Sequence, residues 1–374
     1  MKFNVSSATF CNRLQTLNKI NGSKNSLPIL DCILFNLEGE KLNMTASDGD
    51  ITLVSTIEVT SAEGNGKFAL NAVQIINGLK EIADQPIMIS INDETFEVEI
   101  KYQNGKCNFI GQSGETYPIP NGISDNVEVL KIDTNVLLQG ISKSIFATAE
   151  DELRPVMNGI YFDISTENIT FVASDGHKLV RDRNSSAKGE KSSAFILPKK
   201  PAKTLKDILA HEEGEAIIKF DNNIAEISLE NYLLTCTLIE GRYPNYNSVI
   251  PLDNPFKVRI DRQSLISALR RVLVFANTST NLIKIRITTN NITVSAQDID
   301  YSTKAEENII CEYEGNSMNI GFKGPFLIDI LNSINSQEVI LELADPSRAG
   351  VILPAEQEEQ EDLLMLLMPM MLND

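Results

Sequence analysis

Residues 171–180 read FVASDGHKLV, and the fold turns on how this stretch is read. An aspartate, a glycine and a histidine in succession suggest catalysis. The chain points elsewhere, because nearly the same word recurs: residues 43–52 read NMTASDGDIT and residues 292–301 read ITVSAQDIDY. Ala46, Ala173 and Ala296 open the three words, 127 and 123 residues apart. The histidine occurs in one copy only, so what repeats is a structural unit. An Asp-Gly step between alternating apolar runs signals a hairpin, since both residues tolerate the positive φ of a tight turn. Asp175 is therefore read as a turn residue, and His177 stays open. The third copy lacks the glycine and is expected to turn differently.

Working outward, each word sits inside a longer repeat. FNVSSATFCNRLQTLNKI from Phe3, KIDTNVLLQGISKSIFAT from Lys131 and VRIDRQSLISALRRVLVFAN from Val258 each read as a strand, a Ser, Thr or Asp cap, and an amphipathic helix. A second helix follows late in each unit, in FALNAVQIINGLKEI, FILPKKPAKTLKDIL and IGFKGPFLIDILNSI from Phe68, Phe195 and Ile320. The alternating stretches between them predict antiparallel strands. The expectation is an α+β chain of three repeated domains, 1–122, 123–250 and 251–374, each with two helices packed on mostly antiparallel sheets. Linkers rich in Pro, Gly and Asn separate them at residues 114–126 and 241–255.

The formal charge of −18 over 374 residues argues against a nucleic-acid binder held by overall basicity. The distribution is uneven, however. The helical stretches 7–20, 71–84, 134–146, 198–211, 262–275 and 323–334 carry +2, −1, +1, +3, +3 and 0, together +8. Gathered on one face, such helices would suit loose, sequence-blind contact with a phosphate backbone. The five cysteines, widely spaced and without a C-x-x-C, read as reduced thiols of a cytoplasmic protein. No targeting segment is read at the N-terminus, and no apolar run approaches the roughly 20 residues a membrane span needs. With two histidines and no P-loop, nucleophile elbow or metal-ligand cluster, no catalytic residue, metal or cofactor is expected. The acid pairs Asp48/Asp50 and Asp298/Asp300 read as exposed turn residues, and the acidic insert 355–363 as a solvated loop.

Across its whole length the chain resembles the β subunit of bacterial DNA polymerase III, the sliding-clamp family. The matching words are Met1-Lys2-Phe3, SLPIL at 26–30, RPVMNGIYF at 154–162, ASDGHKL at 173–179, GRYPNY at 241–246, IGFKGPFLIDILNSI, and MPMML at 368–372. The resemblance implies a processivity factor, not an enzyme: a head-to-tail homodimer closing six domains into a ring around duplex DNA, with twelve helices lining the channel. It also implies a groove that takes short linear peptides of the replicative polymerase, the clamp loader and repair proteins. Carried over by motif, the groove would comprise Met157, Ser174, Gly176, His177, Lys178, Leu179, Pro244, Val249 and Phe326, with Leu366, Leu367, Met368, Pro369, Met370 and Met371 of the tail. Lys178, Ser248 and Met371 stand where the family often has Arg, so a less basic groove is expected. DNA contacts are expected at Lys24, Arg154, Lys199, Lys200, Lys203 and Arg270, although Glu150, Asp151 and Glu152 precede Arg154. At the subunit junction, Cys107 and Phe109 share a strand face and are expected to meet Val274 and Phe275. The alternative is a monomeric peptide-binding adaptor that encircles no DNA.

Overall fold

The computed structural model describes residues 1–21, 27–120, 122–124 and 127–372. The first repeat forms β1 (Lys2–Ser6), α1 (Ser7–Leu17), β2 (Cys32–Glu38), β3 (Lys41–Ser47), β4 (Ile51–Glu58), β5 (Thr60–Glu63), β6 (Gly66–Asn71), α2 (Ala72–Leu79), β7 (Pro86–Ile91), β8 (Glu97–Tyr102), β9 (Gly105–Ile110) and β10 (Gln112–Ser113). The second forms β11 (Glu128–Asp133), α3 (Thr134–Ser144), β12 (Gly159–Ile164), β13 (Ile169–Ser174), β14 (Lys178–Asn184), β15 (Ser193–Pro198), α4 (Lys199–Leu209), β16 (Glu215–Phe220), β17 (Ile224–Ser228) and β18 (Tyr232–Thr237). The third forms β19 (Phe256–Asp261), α5 (Arg262–Leu273), β20 (Leu282–Thr288), β21 (Asn291–Asp298), β22 (Thr303–Ile310), β23 (Met318–Lys323), α6 (Gly324–Ser333), β24 (Glu338–Leu343), β25 (Gly350–Pro354) and β26 (Glu361–Leu367).

The capping residues act as the sequence predicts. Ser6 and Asp261 accept from the backbone N–H of Thr9 at 3.3 Å and Ser264 at 2.7 Å, and Asp133 accepts from Asn135 at 2.9 Å. Each helix then buries residues three and four apart: Phe10, Cys11, Leu14 and Leu17 in α1, Leu265, Ile266, Leu269 and Val272 in α5. Under the helices the repeats share one cross-strand pair: Phe35 opposite Phe68, Phe162 opposite Phe195, Ile285 opposite Ile320. The two aromatic pairs stack with centroids 4.9 and 4.4 Å apart.

Residues Met1–Asn135 and Lys203–Leu238 form one compact unit. It holds an antiparallel sheet in the order β5-β1-β7-β8-β9 and another in the order β10-β6-β2-β3-β4-β18-β17-β16-β11. The longer sheet joins two repeats edge to edge where β4 meets β18, with Leu53 opposite Leu234. Residues Val136–Ala202 and Ile239–Asp374 form the other unit. Its sheets run β15-β12-β13-β14-β26-β25-β24-β19 and β22-β21-β20-β23. Here the join lies between β14 and β26, with Val180 opposite Met365. The compact units thus differ from the repeats, since backbone ladders tie the two halves of the middle repeat to different neighbours.

The repeated word is a turn in all three copies. Asp48 Oδ1 accepts from the N–H of Asp50 and Ile51 at 2.9 and 2.8 Å, and Asp175 Oδ1 from His177 and Lys178 at 2.8 and 2.9 Å. Gly49 and Gly176 supply the positive φ, 101° and 89°. In the third copy Asp298 still caps Asp300 and Tyr301, at 3.0 and 3.3 Å. The turn is longer there, and the positive φ moves to Ser302 at 53°. The linkers are anchored rather than free. The Tyr117 hydroxyl accepts from Ser47 N–H at 3.0 Å, and the Tyr246 hydroxyl donates to Asp163 at 2.7 Å.

Candidate functional site: an apolar groove beside a strand junction

The ladder between β14 and β26 sets Lys178 opposite Leu367 and Leu179 opposite Leu366. This brings the second Ser-Asp-Gly turn against the C-terminal tail within one compact unit. Leu179 and Leu366 pack with Val172, Ile196, Tyr243, Tyr246, Ile250 and Ala349 in a cluster that also touches Tyr161. Tyr161 and Tyr243 stack with centroids 4.8 Å apart. From this floor the wall rises through His177, whose carbonyl accepts from Met368 N–H at 2.8 Å. The tail then crosses Gly321, whose carbonyl accepts from Met370 N–H at 2.8 Å.

The groove residues expected from the sequence divide by exposure. Met157, Ser174, Lys178, Leu179, Leu366 and Leu367 are buried and serve as floor or core. Gly176, His177, Pro244, Val249, Met368 and Met371 are exposed, and Phe326, Pro369 and Met370 are half-buried. Val249 and Met368 line one open cavity of about 620 Å³ together with Leu252, Asp253 and Arg348. Met371 lines a different one, of about 560 Å³, with Phe256, Asn319 and Pro346. The tail therefore divides two depressions.

Lys178 is buried beneath the turn, where its ammonium pairs with Asp175 and lies 4.0 Å from the centre of the Phe326 ring. Lys323 approaches the same ring at 4.5 Å, and the His177 ring stands 6.2 Å from it. Burial would raise the Asp175 carboxyl, but Lys178 and the backbone N–H groups of Lys178 and His177 outweigh it and hold the group below its ordinary range. Asp175 and His177 are joined through backbone, so they form no acid–base pair. The charge of Lys178 is committed inside the protein, so it adds no cation to the groove surface, where Asp253 and Arg348 pair with each other beside Val249, Leu252 and Met368.

The expected DNA contacts also separate. Lys24 lies outside the described residues. Arg154 is on no helix face: it pairs with Asp151 at 2.8 Å, and its guanidinium sits against the groove turn, where a Cβ on Gly176 would come within 3.2 Å. Lys199 reaches Glu150 at 2.6 Å. Lys200, Lys203 and Arg270 are exposed, and Lys203 and Arg270 form no ion pair among the described residues. Other helical cations are engaged: Lys143 with Glu361, Arg13 with Glu212, Arg271 with Glu307, and Arg262 with the carbonyls of Ser336 and Leu331. The helical excess of +8 therefore overstates what the helices offer a ligand.

Three features were not expected. Asp298, read as an exposed turn residue, is a turn residue but only 4% exposed. The insert 355–363 is not wholly a solvated loop. Residues 356–360 are exposed, but Glu361 and Asp362 begin β26 and hold Lys143, Arg181 and Arg183, and Leu363 is buried. The apolar phase of the tail pulls these acids into the sheet. Beside them Asp182 is 2% exposed. Burial drives its carboxyl up to about 7, against the pull of Lys143 and with the push of Glu361. The signal was present in KLVRDRN, where Asp182 occupies the inward phase set by Val180. Among the described residues no group of acids, cysteines and histidines could hold a metal ion, and no helix is long and apolar enough to cross a membrane.

Residues 1–121, 131–245 and 247–371 match, in order, the N-terminal, central and C-terminal domains of the DNA polymerase III beta subunit. The chain belongs to that family. Among similar proteins, the beta sliding clamp of Haemophilus influenzae is 24% identical over 98% of this chain and 99% of its own length. That of Staphylococcus aureus is 23% identical over 98% of both. The DNA polymerase sliding clamp structure from Pseudomonas aeruginosa with ligand aligns at a TM-score of 0.91 and 23% identity, covering both chains completely. That of the Bacillus subtilis sliding clamp aligns at 0.90 and 22%, again over both chains. The beta-subunit fold is thus shared end to end.

Proposed function

We propose that this chain is a DNA sliding clamp. Two copies close head to tail into a ring around duplex DNA, and the apolar groove tethers the replicative polymerase, the clamp loader and repair proteins through short linear peptides. The observation that carries this reading is the match of all three repeats, in order, to the three domains of one family whose relatives bear the name beta sliding clamp. On this reading the domains are 1–122, 123–250 and 251–374, the protein works in the cytoplasm, and it performs no catalytic step. Its helices meet DNA loosely through Lys199, Lys200, Lys203 and Arg270, and Lys24 and Arg154 also contact the duplex. Cys107 and Phe109 meet Val274 and Phe275 of the second copy. Val274 is 80% and Phe275 40% exposed, which a buried apolar contact at an obligate interface would account for.

The groove supports the peptide assignment through its chemistry. Met368 beside the tyrosine-containing floor and Met371 in the neighbouring depression present adaptable thioether side chains, which suits a surface that accepts many apolar anchors. The deciding experiment uses DNA topology. Loaded by the ATP-driven clamp loader, the protein should remain on nicked circular DNA and run off linear DNA with open ends. Equal retention on both, together with sedimentation as a monomer, would instead favour an adaptor without encirclement.

A further inference from the structure

We propose that Lys323 makes the groove selective for acidic peptides: a carboxylate of the bound segment, beside the apolar anchor that lies against Phe326, closes on the Lys323 ammonium. This deepens the peptide-binding reading and rests on it.

Lys323 ends β23 and stands at the N-cap of α6, so its backbone is fixed from two sides. It lies opposite Leu282 in the ladder with β20, and the N–H of the next residue, Gly324, donates to the Asn281 carbonyl at 2.9 Å. Lys323 and Gly321 are two apart on the strand and share a face. A Cβ on Gly321 would come within 2.7 Å of the Met370 carbonyl oxygen, so that face is the one the tail crosses. The Lys323 side chain therefore rises beside the tail and reaches over the Phe326 ring.

Two ammonium groups share that one ring. Lys178 lies 4.0 Å from its centre and Lys323 4.5 Å. Their circumstances differ. Lys178 is buried and neutralised by Asp175. Lys323 is half-buried and forms no ion pair among the described residues. Other cations around the groove are already engaged, Arg154 with Asp151 and Arg348 with Asp253. Asp329, one turn further along α6, pairs with neither lysine. The ring thus carries one positive charge without a counter-charge, in a chain whose formal charge is −18.

In the empty groove water solvates this ammonium. A peptide whose apolar residue covers Phe326 strips away part of that water, because the ammonium and the ring are in contact. A neutral segment would leave the cation desolvated and unpaired, and a basic one would add repulsion. An acidic residue beside the anchor replaces the lost water with a charge-assisted hydrogen bond. Selection therefore acts against neutral and basic segments as well as for acidic ones. His177 is exposed, and its ring, 6.2 Å from that of Phe326, bounds the same spot with a second polar edge.

The probes are fluorescein-labelled forms of one polymerase-derived peptide, with Glu, Gln or Lys placed in turn at each position flanking its apolar anchors. Fluorescence anisotropy with the full-length protein at low salt should find one position where Glu binds roughly tenfold tighter than Gln, and Lys binds weakest. Raising the salt should shrink that difference. Lys323→Met keeps an apolar stem over the ring and should make the Glu and Gln forms bind alike. Lys323→Glu should invert the order, with Lys now tightest. A loosened fold would weaken all three forms, so an inverted order separates selection from damage. If the peptides bind wild type without a Glu preference, or keep one in Lys323→Met, the selectivity is overturned and the groove reading stands. If no form binds wild type, the groove reading falls and this inference with it. Slower loading of Lys323→Met onto nicked circular DNA, with the peptide order unchanged, overturns the inference in favour of a phosphate contact.

Discussion

Asp175 shows what a residue can be made to do by its neighbours. One carboxylate oxygen closes the turn on two backbone N–H groups, and the other meets the ammonium of Lys178, whose side chain is 6% exposed. Removing the acid would strand a buried cation. We expect Asp175→Ala to cost about 3–5 kcal/mol of stability, measured by urea unfolding, since losing one partner of a buried pair leaves the other unpaired. A loss below about 1 kcal/mol would mean that Lys178 finds water or another partner. The groove calls for residues that can change without disturbing the core. Leu179 is 3% exposed, so Leu179→Ala would lower stability by about 2–5 kcal/mol and confuse any binding result. Met368→Ala with Val249→Ala removes exposed wall instead. That pair should weaken binding of a polymerase-derived peptide about tenfold, by fluorescence anisotropy, with the unfolding midpoint unmoved. The turn role of Asp175 was legible because Asp-Gly has a fixed backbone meaning. The burial of Lys178 was not, because a lysine in KLV gives no sign of the ring waiting at Phe326.

At the scale of elements, the informative place is the join of β14 with β26. Lys143 of α3 faces acids of both strands: Asp182 on β14 and Glu361 on β26. Asp182 takes up its proton near pH 7 when folded and nearer 4 when unfolded. Between those values the folded chain binds more protons than the unfolded one, so this group's contribution to stability falls as pH rises. Wild type should therefore lose stability relative to Asp182→Asn between pH 5 and pH 8, read as urea midpoints. A constant difference across that range would show that Asp182 is ionised throughout. Helices, caps and most strands could be read from period and capping chemistry. The pairing of an acidic insert with a helix lysine more than 200 residues away could not, since nothing local to either segment specifies the other.

For the whole molecule, the repeat carried most of the information. Three copies of one unit fixed the class of fold, whereas the edge-to-edge joins between copies depend on which strand ends are left unpaired, and the alternation of a strand does not announce that. The charge count misled in a specific way: it summed helix residues without seeing that Lys143, Arg13, Arg262 and Arg271 already have partners. Fewer helical cations then remain for DNA than the count implies, and under the clamp reading this is enough, because a closed ring is held by topology. Lys203→Glu combined with Arg270→Glu should slow loading onto nicked circular DNA and flatten its salt dependence, each lost phosphate contact removing about 0.9 from the slope of log K against log salt. Once loaded, the double variant should stay on the circle as long as wild type at every salt concentration. Measured by gel filtration after loading, faster escape of the variant would mean that contacts with phosphate, rather than enclosure, keep the protein on DNA.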